Sequence, residues 1–440
     1  MKSLSRNWKI FLILAFVAGA ILRLIYVNDM EYKEDEEFNF TQTQIVRGFT
    51  DWPWVGMPSG VYLQNPGMSI WVFIALAKIF RVTQPTELAH AVQLFSLLGI
   101  AMIIPFVLWF VRTEEREPWL WAFVFSLVNP FAILYQRKLW PEPFLPFFTM
   151  LVLMGWWRRD RKPGAFVWGF IGAWLGQIHM SGFFFAAGLF LWTLFFDRST
   201  GPPESSRRPR WKFWFIGSCL GALPLIPWFL EVLAHPPRGH MVSGISEALQ
   251  LKYWVFWITD ALGLHLGNPL GLLRGQSNFA QISDFIRYPL INGQATYLVG
   301  LAHIAIVIGA LIIVYRAVRG VPITFAAAGS VKSLFIGQGS PTAFVQSAAL
   351  WGTGILLTIT GVAIRRYYMM VTFPLEFVWL ARITLGHGQA FSRFPRAVLG
   401  IIWTAQLFIS ANFVGYIHVN EGAVQGDYGP AYHVIMKQRK

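Results

Sequence analysis

The feature that most constrains this chain is its series of long apolar segments, separated by short basic connections. Several segments reach the roughly 20 apolar residues that cross a bilayer core about 30 Å thick. In lipid every backbone polar group needs an internal partner, which leaves helices or closed barrels. A barrel would show alternating strands of about ten residues. These runs are unbroken, so the sequence predicts an all-α, polytopic transmembrane helical bundle. Of 440 residues, 55% are hydrophobic and only 13% charged, against about 25% charged in a soluble domain.

The first span covers 10–27, where the basic "MKSLSRNWK" precedes the apolar run. "AGA" at 18–20 imitates a signal-peptidase site. The apolar run continues past it, broken only by Arg23, so an uncleaved span is expected. Further spans fall at 88–111, 118–135, 142–157, 164–179, 181–196, 213–233, 294–315, 346–363, 370–384 and 397–416. This gives about 11 spans, plus or minus two. Residues 68–80, "MSIWVFIALAKIF", are too short to span and follow "NPG". They read as an interfacial helix. Residues 1–440 form one integral membrane domain, with a first outer loop at 28–67, a long outer loop at 234–293 and an outer tail at 417–440. Residues 321–345 could be a cytosolic linker or a re-entrant segment.

The net charge is +14. "RRDRK", "DRSTGPPESSRRPRWK", "RAVRG" and "SRFPR" all fall on one side of the predicted topology. Such loops belong in the cytosol, which places the N-terminus there. This accounts for the basic balance without nucleic acid, and the same cations suit anionic lipid head groups. The single cysteine, Cys219, makes no intrachain disulfide and no cysteine-based metal site.

Five of the 22 acidic residues lie in "EYKEDEEFNF", residues 31–40. If 31–46 is helical, Glu31, Asp35, Phe38 and Gln42 share one stripe. A solvated acidic loop fits the same composition. The next outer loop, "LYQRKLWPEPF", gathers Arg137, Lys138 and Glu142 among aromatics. Pro141 and Pro143 fix the backbone around Glu142 at a helix start. A carboxylate there and one at Asp35 would form the acid pair that acid/base chemistry uses. His179 stands at an outer turn and could be structural, or could bind a metal or phosphate. Arg365, Arg366 and Tyr367 lie at an outer boundary, against the charge rule. They could grip a lipid phosphate through the guanidinium fork, or snorkel in an aromatic belt. "NFT" at 39–41 is a glycosylation sequon, relevant only in a eukaryotic source.

The order of these elements resembles the GT-C membrane glycosyltransferases, in particular the dolichyl-phosphate-mannose protein mannosyltransferase and aminoarabinose transferase branch. The matching stretches are "EDEEF" (34–38), "NPGMSIWVFIALAKIF" (65–80), "KLWPEPFLPFF" (138–148), "RRYYMMVTFP" (365–374) and "QGDYGPAY" (425–432). The branch's "DE" aligns as Asp35-Glu36 or as Glu34-Asp35. Only Pro66 stands where the branch often has two prolines.

The resemblance implies transfer of a sugar from a polyprenyl-phosphate-linked donor to a glycan, lipid or protein acceptor of the cell envelope. The reaction would take place at the outer face of a membrane, the bacterial inner membrane in the simplest case. On that reading Asp35 is the base and Glu36 supports it, with Glu34 as the register alternative. Glu142 orients the acceptor or completes the acid pair. Arg365, Arg366, Arg137 and Lys138 hold the phosphate, with Tyr367 beside them, and His179 is a weaker candidate. A divalent metal at the acidic cluster is allowed but not required. The alternatives are a transporter or flippase of lipid-linked sugars, and a non-catalytic scaffold subunit of the same shape.

Overall fold

The computed structural model describes residues 5–58, 63–197, 208–236, 251–264, 279–328, 335–337, 339–386, 393–422 and 428–439. It is 77% helical. The only sheets among the described residues are two small antiparallel ribbons, Val55–Pro58 with Gln64–Pro66 and Leu290–Ile291 with Gln294–Ala295. The second turns on Asn292-Gly293, both at positive φ, the pairing that a two-residue hairpin favours. "AHPPRGH" lies mostly, and "LGLHLGNPLGLLRGQ" largely, outside the described residues.

Helix α1 (Arg6–Leu24) opens on Ser5, whose hydroxyl accepts from the Trp8 N–H. Its face of Ile10, Ile13, Leu14, Val17 and Ile21 is exposed, while Leu12, Ala15, Gly19, Leu22 and Arg23 turn inward. An exposed apolar face is ordinary for a helix that meets lipid. Gly19 lets α1 lie against Leu127, where an added Cβ would stand 2.8 Å from the leucine side chain. Helix α2 (Glu34–Ile45) and helix α3 (Met68–Phe80) follow. The bounds of α3 coincide with the short apolar helix expected at 68–80. Helix α4 (Pro85–Ala101) packs on α3.

Among the described residues, six helices are long and apolar enough to cross a membrane: Arg6–Leu24, Pro85–Trp109, Trp211–Ala234, Leu298–Gly320, Pro341–Ile359 and Arg393–Val419. Two bent pairs raise the count to eight: Thr113–Val128 with Pro130–Gln136, bent 54°, and Arg366–Thr372 with Leu375–Leu385, bent 75°. The chain is thus an integral, multi-pass membrane protein. The count expected from the sequence was about eleven, plus or minus two. The expected spans at 142–157, 164–179 and 181–196 form helices of 13, 17 and 16 residues. At 1.5 Å per residue these reach about 20–26 Å, short of the bilayer core. Sequence hydropathy does not separate a spanning helix from a short one packed inside the bundle.

Two buried arginines knit the first spans together by an exchange of helix ends. Arg23, at the end of α1, donates to the carbonyls of Leu127 at 2.7 Å and Ser126 at 2.9 Å. These carbonyls end the helix Arg116–Val128. Arg23 also donates to the Gln136 Oε1 at 2.7 Å. In return, Arg137 donates to the carbonyls of Leu22, Arg23, Ile25 and Tyr26 at 2.8–3.0 Å, closing the end of α1. A helix C-terminus has unpaired carbonyls and a partial negative charge, so it suits a buried cation without a carboxylate. Arg137 was expected to hold phosphate. Its guanidinium instead caps α1, and that expectation is corrected.

Candidate active site

The acidic cluster sits at the start of α2. Glu34, Asp35, Glu36 and Glu37 all occupy the first turn. Free N–H groups and the positive dipole end make that turn the least costly place for four carboxylates. Glu36 Oε2 reaches back to accept the Lys33 N–H at 3.0 Å, one half of a capping box. The helix begins at Glu34, so Glu31 does not share its stripe with Asp35, Phe38 and Gln42. Glu31 instead pairs in an isolated antiparallel bridge with Ala431. Its buried carboxylate lies between Lys33 and Lys138.

Asn39 fastens α2 to the next loop, donating to the Leu139 carbonyl at 2.7 Å. This buried side chain is also the first residue of the "NFT" sequon, so the folded protein hides that site. The loop then turns through Pro141 into Glu142–Phe144 and the helix Leu145–Trp157. Glu142 is buried, and its Oε1 lies 3.4 Å from His179 Nε2. His179 Nδ1 receives the Ser181 N–H at 3.3 Å and lies 2.7 Å from the Ser181 hydroxyl. A nitrogen that accepts a backbone N–H carries no proton itself. The neutral ring therefore holds its proton on Nε2, facing Glu142.

The segment Arg366–Thr372 completes the walls. The Tyr367 ring meets Trp140 edge to face at 5.5 Å and His179 at 5.9 Å. Tyr368 lies 5.4 Å from His179. Lys138 Nζ stands 4.3 Å over the Trp140 ring. Asp35 is half-buried, Glu34 exposed and Glu36 buried.

The carboxyls do not titrate alike. Burial, and then the charges of Glu31 and Glu34, pushes Asp35 upward. Burial and Glu31 push Glu36 up to about 7. Burial pushes Glu142 up to about 8, with Asp35 and Glu36 adding to it. Burial lowers His179 to about 4, so the imidazole is neutral. Burial raises Glu31 too, but Lys138 and Lys33 outweigh it and hold the group below its usual range. Chemically, the site offers a half-exposed carboxylate, a carboxylic acid that stays protonated at neutral pH, two nearby lysines and aromatic faces.

The two outer arginines part company. Arg366 Nε pairs with Asp260 at 2.9 Å and its Nη2 donates to Thr259 at 2.8 Å. This ion pair occupies the fork that was expected to take a phosphate, and that expectation is corrected. Arg365 is exposed, and among the described residues its side chain makes no ion pair or hydrogen bond. It lies within electrostatic reach of Tyr367 and Tyr368.

Among the described residues, no three His, Cys, Asp or Glu side chains converge to hold a metal ion. Glu31 and Glu36 are already engaged by lysine or backbone groups. These donors do not fit a resident divalent metal held by protein ligands alone.

Sequence reasoning placed Glu31 on the wrong stripe and did not single out Asp260, Glu376 or Tyr428. Glu376 was readable: it is an acid inside the apolar stretch "TFPLEFVW", and intramembrane acids are functional candidates by default. It stands in the first turn of Leu375–Leu385, fully buried and within electrostatic reach of Asp260.

No family model matches the sequence, and no curated protein matches it. Solved structures do. One is ArnT from Cupriavidus metallidurans in the apo state, at 14% identity and a TM-score of 0.43, covering 93% of this chain and 76% of that one. The same protein bound to undecaprenyl phosphate gives 14% identity and 0.44, covering 94% and 77%. The Archaeoglobus fulgidus oligosaccharyltransferase in the apo form gives 12% identity and 0.49, covering 94% of this chain. The chain spans 56% of that archaeal protein's length. Such values describe a shared outline and assign no residue a role.

Proposed function

We propose that this chain is a membrane glycosyltransferase that takes a sugar from a polyprenyl-phosphate donor and passes it to a cell-envelope acceptor. The observation that carries the reading is the meeting, in one place, of an acid pair, two cations and aromatic faces. α2 supplies Asp35 and Glu36. The 138–142 loop supplies Lys138, Trp140 and Glu142. The 365–368 segment supplies Arg365 and Tyr367.

In this reaction the acceptor hydroxyl attacks the anomeric carbon. Its proton passes to Asp35 as the new C–O bond forms. Asp35 is the reachable carboxylate, whereas Glu36 is buried and holds the Lys33 N–H. The bond from the anomeric carbon to the phosphate oxygen breaks, and the electron pair leaves with the lipid phosphate. Arg365 and Lys138 stabilise that growing charge. Lys138 Nζ stands between the Glu31 carboxylate and the Trp140 ring, where it faces the leaving phosphate. Glu142, protonated, donates a hydrogen bond that orients the acceptor. Trp140 and Tyr367 offer flat faces to the sugar ring. One of the similar solved structures is bound to undecaprenyl phosphate, a lipid phosphate of this donor class. By the positive-inside pattern the site faces outward, in a bacterial case across the inner membrane.

Asp35→Asn is the test, in membranes supplied with a labelled lipid-linked sugar. Transfer should fall by about 10²-fold or more. Undiminished transfer sinks the base assignment. One observation favours a second reading as a transporter of lipid-linked sugars. The 75° break before Leu375–Leu385 puts buried Glu376 on a bent pair of apolar helices, as transporters often do. Uptake into liposomes without any glycosyl product would establish that reading instead.

A further inference from the structure

The C-terminal segment 428–439 takes no part in the chemistry above, yet its attachments converge on the residues leading into α2. Tyr428 is fully buried. Its hydroxyl donates to the Asp29 carbonyl at 2.8 Å and accepts the Glu31 N–H at 3.0 Å. The Tyr32 N–H donates to the Pro430 carbonyl at 3.1 Å, and the Tyr432 N–H to the Met30 carbonyl at 2.9 Å. The rings of Tyr32 and Tyr432 meet edge to face at 5.1 Å. At the far end Arg439 forms a two-pronged pair with Glu37 at 2.7 and 2.8 Å. The helix Tyr432–Gln438 lies between these anchors.

We propose that residues 428–439 are a strap that positions the acidic helix for catalysis, with Tyr428 as its central positioning residue. The proposal rests on the glycosyl-transfer reading. A 12-residue helix is marginal alone, and this one carries four like charges in one turn. Something must fix the angle at which it enters the site. The strap grips the chain just before α2, through the backbone of residues 30–32, and again at Glu37 within its first turn. Gly429 lies beside the flexible end of Lys33 and the Glu31 carboxylate. The Tyr428 ring also lies 5.8 Å from Lys138 Nζ, closing the far side of the Glu31–Lys138 pair.

The electrostatic consequence is specific. Glu36 is faced by Glu31 and Lys33 from the lead-in, by Lys138 and Glu142 from the next loop, and by Glu34, Asp35 and Glu37 on its own helix. While the strap holds the lead-in and α2 in place, burial and then the charge of Glu31 oppose ionisation of Asp35 and Glu36, with Lys138 acting against them. Releasing the strap lets water reach Glu31 and weakens that field. The carboxyls then ionise at lower pH.

The experiment uses the full chain in lipid nanodiscs, as wild type, Tyr428→Phe and Arg439→Ala. Hydrogen exchange over residues 31–37 should speed up about tenfold in Tyr428→Phe while the spanning helices keep their protection. Arg439→Ala, at the exposed end, should show a smaller rise. Transfer from a labelled lipid-linked sugar should show a tenfold lower kcat in Tyr428→Phe, with a donor KM within twofold of wild type. The acid limb of its kcat profile should move to lower pH. Unchanged exchange over 31–37 in both Tyr428→Phe and Arg439→Ala overturns the strap. Faster exchange with an unmoved kcat and acid limb overturns its role in the reaction. A wild type that transfers no sugar defeats the functional reading, and the exchange arm still decides the strap.

Discussion

Replacing Glu142 by Gln swaps one carboxyl oxygen for an NH2 group and removes the ability to ionise. Burial raises this carboxyl from 4.5 to about 8. Between those values the unfolded chain binds fewer protons than the folded one, so stability falls as pH rises. Each pH unit within the window is worth about 1.4 kcal/mol. At pH 7 the loss is about 3 kcal/mol, and by pH 8 it approaches about 5 kcal/mol and then levels off. Gln carries no such loss. The stability gap between Glu142→Gln and wild type should therefore be near zero at pH 4.5 and reach about 3 kcal/mol at pH 7, in favour of the variant. Folding lowers His179 from 6.5 to about 4, which adds an opposite slope between those values in both proteins and so drops out of the gap. Glu36 lies within electrostatic reach of Glu142, so the gap also contains their mutual repulsion where both are ionised. Thermal melts of detergent-solubilised protein at pH 5 and pH 7.5 measure the gap. The amide oxygen can still accept from His179 Nε2, and the amide N–H replaces the carboxyl O–H. Transfer should therefore stay within about threefold of wild type, whereas Glu142→Ala should lose about 10²-fold. A gap that does not grow with pH refutes the buried, protonated Glu142. Equal loss in the Gln and Ala variants refutes its role as a donor.

Four further outcomes follow from the same geometry. Arg366→Met leaves Asp260 buried and unpaired, which should cost about 3–5 kcal/mol in a melt, and adding Asp260→Leu should recover most of it. Arg365→Gln should keep the melting temperature within about 2 °C, since an exposed residue rarely affects stability, and should raise the donor KM by roughly tenfold if it holds phosphate. Arg137→Met should behave oppositely, lowering the melting temperature by orphaning the carbonyls of Leu22, Arg23 and Ile25 while the remaining folded protein keeps its donor KM. Lys138→Met removes a positive charge that holds Asp35 and Glu36 down, so the acid limb of a kcat profile should move to higher pH.

Asn292-Gly293 and the helix at 68–80 show what local sequence can reveal. The first matches a two-residue hairpin turn and the second a helix whose length and apolar content need no distant partner. The acidic turn at 34–37 is equally local, because a helix N-terminus accepts carboxylates wherever it lies in the fold. Glu376 was legible in the same way, as an acid in an apolar run.

The sequence by itself determined the class of chain: a helical membrane bundle, with acids and aromatics gathered beside its first spans. Those features follow from segment length, hydropathy and charge, which the chain carries locally. Only the tertiary structure decided what each charge faces. Arg137 and Arg365 are both arginines near a predicted outer boundary, yet Arg137 closes the end of α1 and Arg365 stands open. Asp260, far along the chain, claims Arg366, and Tyr428, almost 400 residues away, claims the backbone of Glu31. A guanidinium or an N–H group binds whichever acceptor packing brings within about 3 Å, and that contact depends on residues hundreds of positions apart.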